Sequence, residues 1–458
     1  RTGTTGALTS AAPAGMSVAR LRPDDGPELI AVDQWAFGGT EEDNASDELA
    51  ALDWDRTTGM WRDGTDGTPR RLVGAAVALP VDLPVPGGAV PCAGVTWVGV
   101  HPQFRRRGIL RALMSDQLHD IHRRGREPVA ALFAAEEAIY GRFGYGVATR
   151  ALRLTVPRGA ELRKVAGADG IEVALERVDA DRHTDLIGDC HDRVSRSRPG
   201  MVRRTSPQLR KLALADRPRD RRDAESLRVA LAVDAGTDPG TGPLRGYALF
   251  RRKAAWTRHV PDGTVQVGEF VADDAATARA LWGVLTDLDL TARVETGPQP
   301  VDDPLLHLLI NVRAASPRLV DGLWVRLVDV PAALAGRRYA AEVDTVLSVE
   351  DPVCPWNRGN WRLRGGPDGA ECTPTEDPPD LDVGVGELGS AYLGGIGLAE
   401  LAAAGRITER TPGSAAAAGI AFGWPVAPHS SWQFGAHRSG PIRTGPAEPV
   451  RSEPVRSE

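Results

Sequence analysis

Val95-Thr96-Trp97-Val98-Gly99-Val100-His101-Pro102-Gln103-Phe104-Arg105-Arg106-Arg107-Gly108-Ile109-Leu110-Arg111 carries the chain from a strand, through a basic loop, into a helix. Gly94–Val100 (GVTWVGV) reads as an apolar strand. From Ile109 to about Arg124, residues Leu110, Leu113, Met114, Leu118 and Ile121 recur at spacings of three and four, the mark of an amphipathic helix. Between strand and helix stand Arg105, Arg106 and Arg107, then Gly108, with Arg111 just beyond. The first N–H groups of a helix have no acceptor within it, and the helix dipole adds positive potential there. Gly108 lets the backbone close on an anion with no Cβ in the way. Such a loop suits a pyrophosphate.

Working outward, Leu72–Leu79 reads as a strand, and Pro84–Gly88 as a turn rich in Pro and Gly. Val129–Ala134 follows the helix as a third strand, Glu136–Phe143 is a short helix and Leu152–Val156 a fourth strand. Within that short helix and just after it lies Ala138-Ile139-Tyr140-Gly141-Arg142-Phe143-Gly144-Tyr145. Arg105-x-x-Gly108-x-Leu110 resembles motif A of the GNAT acyltransferases, R/Q-x-x-G-x-G/A, with Leu110 replacing the last small residue. The segment around Tyr140 resembles that family's Y-x-x-x-G-F/Y ending. Either match alone leaves room for a solvated arginine turn or a core aromatic. Both in order, with a strand between them, strengthen the resemblance, which implies one acyl-CoA site with the Tyr140 phenol beside the thioester sulfur, a group suited to give a proton to the departing thiolate.

The chain as a whole narrows the resemblance. RRRGILRALM, AAEEAIYGRFGYGVAT, DGLWVRLVDVPAALAGRRYAAE and ELGSAYLGG together resemble the Eis (enhanced intracellular survival) acetyltransferases of actinobacteria, across about Met16–Phe434. Leu110 is normal in that family. The resemblance implies a mixed α/β (α+β) chain of two tandem GNAT-like domains and a sterol-carrier-like domain, assembled as a homohexamer. On that basis the domains are expected at 16–158 (catalytic), 159–316 (central, without a cofactor site) and 317–434 (sterol-carrier-like). The flanks 1–15 and 435–458 are read as disordered, with Met16 as the natural start. The implied activity is transfer of acetyl from acetyl-CoA to amines of a small polyamine such as an aminoglycoside. Carried over, Val98, Gly99 and Val100 contact the pantetheine arm. Arg106, Arg107, Gly108, Ile109, Leu110 and Arg111 hold the pyrophosphate. Ala135 and Glu136 touch the acetyl end, Ala135 standing where the family usually has Ser. Tyr140 becomes the general acid.

In this family the terminal carboxylate of a final Phe takes the amine proton. The matching residue is Phe434, but 24 residues follow it here, and an internal Phe carries an amide. Three routes stay open: a clipped tail, another carboxylate, or water acting on an amine already partly neutral. Trp35, Phe37, Asp33 and Glu41-Glu42-Asp43 are candidates for an aromatic, acidic amine pocket. The central block ends its strand Gly268–Val271 at Asp273-Asp274, which cap a helix well but repel pyrophosphate. One acetyl-CoA site per chain is therefore expected.

Composition bounds the alternatives. At ~150 residues per domain, 458 residues suggest about three domains. A net charge of −6 with no polybasic field argues against nucleic acid. No run reaches the ~18 apolar residues of a membrane span, and residues 1–15 lack the apolar core of a secretory signal. Cys92, Cys190, Cys354 and Cys372 are scattered, with no CxxC. They read as reduced thiols of a cytoplasmic protein. No metal site is expected: His119 and His122 share a helix face as packing groups. Gly384–Gly389 fits G-x-G-x-x-G without the strand and helix context of a dinucleotide site. The Arg- and Asp-rich stretch 203–228 reads as solvated surface. Two other function classes remain beside the enzyme: a lipid or apolar-ligand binder acting through the C-terminal block, and a catalytically silent scaffold.

Overall fold

The computed structural model describes residues 12–38, 45–64, 68–221 and 223–434. The acidic run Glu41-Glu42-Asp43, residues 1–11 and the tail from 435 lie outside the described residues. The chain begins with β1 (Met16–Arg20), α1 (Gly26–Phe37), α2 (Ser46–Ala50), β2 (Thr57–Arg62), β3 (Arg71–Val85), β4 (Gly88–Val100), α3 (Ile109–Arg124) and β5 (Val129–Phe133). The hairpin of β3 and β4 is longer than the sequence suggests. Apolar residues continue on both sides of the Pro-rich turn, which shrinks to Pro86–Gly87. Leu113, Met114, Leu118 and Ile121 of α3 are buried, as their spacing requires.

The first sheet runs β1-β2-β3-β4-β5, then Leu323–Leu327, then Gly146–Val147. Leu323–Leu327, which the sequence places at the head of the third block, is thus paired antiparallel with β5, a strand of the first block distant from it in the chain. The expected strand Leu152–Val156 is divided. Arg150–Arg153 pairs with Arg318–Asp321, and Thr155–Pro157 joins the central sheet beside Thr291–Thr296. Both differences have one cause. A strand's own residues set its apolar pattern, while its neighbour is chosen by whichever sheet edge the chain reaches.

The central block builds a six-stranded sheet that repeats the β4–α3–β5 unit as Gly263–Ala272, the helix Ala275–Thr286 and Thr291–Thr296. The C-terminal block has a five-stranded sheet covered by short helices, its interior filled by Leu347, Tyr339, Leu363, Tyr392 and Phe422. Gly384–Gly389 spans the end of a strand and the helix Val385–Ala391. Its glycines serve close packing: a Cβ on Gly389 would stand 2.2 Å from the carbonyl oxygen of Val325 in the first sheet. All four cysteines are buried and free. His119 and His122 pack on Trp356, the latter stacked at 4.0 Å. The reading of residues 203–228 as solvated is corrected at Arg204. Its side chain is buried and ion-paired with the buried Glu269. No described helix is long and apolar enough to cross a membrane.

Candidate active site

Strand β4 pairs in parallel with β5 only at Cys92–Gly94; beyond that point the two strands separate. A register shift opposite Ala76 and a positive φ of 52° at Trp97 mark a bulge in β4. A bulge adds a residue on one strand and turns it away from its neighbour. The result is a wedge whose walls are backbone, ready to accept an extended chain.

At the mouth of the wedge the basic loop is wound for an anion. Arg106 (φ 62°) and Gly108 (φ 84°) are both left-handed, and successive N–H groups in such turns form an anion-binding concavity. Gly108 is the N-cap of α3; no side chain caps that end and no acidic residue lies in its first turn. A Cβ at Gly108 would meet nothing within 4 Å, so the space before the helix is open. The donors and arginines therefore fit a pyrophosphate by both geometry and charge.

A cleft of about 1430 Å³ runs from the wedge across this loop. It is lined by Val98, Gly99, Val100, Arg106, Gly108, Ile109, Leu110, Arg111, Ala135, Glu136 and Tyr140, so these sequence-derived candidates converge on one surface. Arg107 does not line it; its guanidinium lies over the Phe104 ring, 5.4 Å from the centroid. The cleft also takes Arg105, the first arginine of the loop, and Ser115, His119, Arg142 and part of the segment Pro352–Arg358, which the sequence did not point to. Among the described residues no group of three or more His, Cys, Asp or Glu is placed to hold a metal.

A second cavity, about 570 Å³, lies on the other side of the wedge. Phe37, Val98, Ala135 and Tyr140 line both cavities. Tyr140 sits at the end of a short helix, Glu137–Tyr140, and is 8% exposed, with Tyr145 edge-on at 6.1 Å. Burial, with the Glu136 carboxylate adding to it, pushes the Tyr140 phenol up to about 12. Glu137, Asp321, Arg153 and Phe434 also line this second cavity. Of the other expected pocket residues, Trp35 is 60% exposed and tilted against His101 at 5.0 Å, and Asp33 is buried. Neither lines the cavity.

Phe434 reaches the cavity because the central block holds the chain just before it. Ser431 Oγ donates to Glu269 at 2.9 Å, and His191 Nε2 lies 3.4 Å from the same hydroxyl. The Arg204 guanidinium lies 5.3 Å from the Trp432 ring centroid. Burial acts to raise the Glu269 carboxyl, but Arg204, His191 and Ser431 outweigh it and keep it ionised. Phe434 then packs edge-on against Phe133 at 5.3 Å. In the central block, Gly263–Val267 pairs in parallel with Thr291–Thr296, up to the last residue of the latter strand. There the helix is capped by Asp274, and Asp273 and Asp274 are both paired with Arg245. Carboxylates thus stand where the first block has its arginines, and Ser431–Gln433 lies along the opening.

Models of an acetyltransferase (GNAT) domain match residues 17–148 and 200–327, and a sterol carrier protein domain model matches 330–431. An N-acetyltransferase of Streptomyces coelicolor is 41% identical over 426 residues, covering 88% of this chain and 98% of that one. The N-acetyltransferase Eis of Mycobacterium tuberculosis is 37% identical over 362 residues, covering 76% and 82%. Among solved structures, Eis1 of Mycobacterium abscessus superposes with a TM-score of 0.75 at 32% identity, covering 92% of this chain and all of that one. GNAT acetyltransferases use acetyl-CoA, for which the cleft described above has the matching donors.

Proposed function

The chain belongs to the Eis family of GNAT N-acetyltransferases, and from that premise we propose that it transfers acetyl from acetyl-CoA to amines of a small cationic polyamine such as an aminoglycoside. The observation that carries this reading is Tyr140, which faces the coenzyme cleft on one side and a separate acceptor cavity on the other. The amine nitrogen attacks the thioester carbon directly, the C–S bond breaks, and the Tyr140 phenol protonates the sulfur. With its pKa near 12 the phenol holds its proton throughout the physiological range. The thiolate leaves in the same desolvated wedge, which raises its own proton affinity and favours the transfer. Glu137 and Asp321 at the acceptor cavity suit a cationic acceptor. One acetyl-CoA binds per chain, because carboxylates occupy the equivalent loop of the central block.

For the base, the position of Phe434 in the acceptor cavity favours a carboxylate at that residue, freed from the residues that follow it. The homohexamer expected of the family belongs to this reading too; a monomeric mass by light scattering at micromolar concentration removes it. The test is free-thiol release from acetyl-CoA with a panel of aminoglycosides, comparing the full chain with a chain ending at Phe434. Turnover in the shorter chain alone makes the terminal carboxylate the base. Equal turnover moves the base elsewhere. Silence of both chains with every aminoglycoside overturns the acceptor class.

A further inference from the structure

The coenzyme cleft does not end at the arginine loop. It continues along α3 past Ser115 to His119, ten residues beyond Ile109 and so roughly 15 Å along the helix axis. The opposite wall of this extension comes from the C-terminal block: Pro352, Val353, Pro355 and Arg358. A pantetheine arm in the wedge and a pyrophosphate on the loop leave this stretch of the cleft unaccounted for.

The wall is rigid before any ligand arrives. The Asp351 carboxylate accepts from the backbone N–H of Val353 (3.1 Å) and Cys354 (2.9 Å), from Asn357 Nδ2 (2.9 Å), and from Arg326 at both oxygens (2.9 and 2.7 Å). Arg326 also donates to the carbonyl of Phe143, just after Tyr140. Trp356 donates from Nε1 to Val328 and stacks on His122 of α3. The segment is thus fastened to the first sheet and to α3 at once.

Its lining combines apolar and cationic groups. The two prolines and Val353 offer an apolar platform. Five arginines line the cleft (Arg105, Arg106, Arg111, Arg142 and Arg358) against the single carboxylate of Glu136, which lies at the acetyl end. A pyrophosphate on the loop accounts for the arginines there but not for Arg358, which stands on the far wall. Its nearest carboxylate, Glu350, is 3.7 Å from Nε, too far for a hydrogen bond. Its side chain is 57% exposed, free to turn to an incoming anion.

We propose that the segment Pro352–Arg358 of the sterol-carrier-like domain forms the 3′-phosphoadenosine subsite of the coenzyme cleft, with Arg358 pairing with the 3′-phosphate. This rests on the acetyl-CoA reading above. It gives the C-terminal domain a direct part in holding the coenzyme.

The experiment is calorimetric binding of CoA and of 3′-dephospho-CoA to the full chain and to Arg358→Ala and Arg358→Lys. The full chain is expected to bind CoA roughly tenfold more tightly than its dephospho form. Arg358→Ala is expected to lose that preference by weakening CoA alone, and Arg358→Lys to restore part of it. The exposed position of Arg358 predicts an unchanged melting temperature. If the full chain shows no preference for the 3′-phosphate, or if Arg358→Ala weakens both ligands equally or neither, the proposal is overturned while the acetyl-CoA reading stands. If the full chain binds no CoA at all, the acetyl-CoA reading falls and takes this proposal with it.

Discussion

Tyr140→Phe removes one oxygen from the point where the two cavities meet and leaves the ring packed on Tyr145. With a phenol pKa near 12, only about one molecule in 10,000 is ionised at pH 8. As the proposed general acid, Tyr140 is therefore fully loaded at every ordinary assay pH. A positioned general acid contributes about 10²–10⁴ in rate, or roughly 3–5 kcal/mol of barrier. We expect kcat of Tyr140→Phe to fall at least a hundredfold, with KM for acetyl-CoA within about threefold of the parent. The assay is thiol release over pH 6–10 for both proteins. The parent rate is expected to rise as the acceptor amine loses its proton, with no descending limb from Tyr140 in that range, because the phenol would have to ionise first. A kcat within threefold of the parent refutes the reasoning, since the thiolate would then take its proton from elsewhere. So does a descending limb below pH 9 that vanishes in Tyr140→Phe, which would place the phenol pKa far below what its burial implies.

Three further outcomes follow from particular residues. Gly108→Ala puts a Cβ on a left-handed residue at φ 84°; about 1 kcal/mol of strain at the anion loop should raise KM for acetyl-CoA five- to tenfold, and an unchanged KM contradicts it. Asp351→Ala leaves the fully buried Arg326 without its counter-charge and should cost ~3–5 kcal/mol in urea unfolding; a loss below about 1 kcal/mol is incompatible with that pair. Burial pushes the His429 imidazole down to about 3, so below pH 6.5 the unfolded chain takes a proton that the native chain refuses, and stability falls with pH. From pH 7.5 to 5 this amounts to about 2 kcal/mol, and His429→Gln should lose that much less over the same interval by urea titration.

Much of the site was legible because it is local. The strand, the arginine loop, Gly108 and the face of α3 lie within one continuous segment, and each follows from hydrogen bonding or periodicity among near neighbours. The residues carried over from the family resemblance, Val98–Val100, Arg106, Gly108–Arg111, Ala135, Glu136 and Tyr140, line one cleft, the last three coming from a separate segment that follows β5. Arg107 shows the limit: three consecutive arginines look alike in sequence, but Arg105 and Arg106 line the cleft while Arg107 covers Phe104. Arg204 shows it again. A surface-like composition around it gave no sign of Glu269, its buried partner 65 residues away.

By itself, then, the sequence determined the class of the chain and the order of its blocks, through motifs spread along it, and the basic strand–loop–helix segment, which depends on residues that are neighbours in the chain. Tertiary structure alone decided that Leu323–Leu327 joins the first sheet beside β5, that the central block clamps Ser431 and so brings Phe434 to the second cavity, and that Pro352–Arg358 walls the cleft beside α3. Contacts between distant segments are selected by burial of apolar surface and by pairing of buried charge; apolar periodicity tells which face of an element is covered but not which distant segment covers it, and a buried charge pair leaves no local pattern.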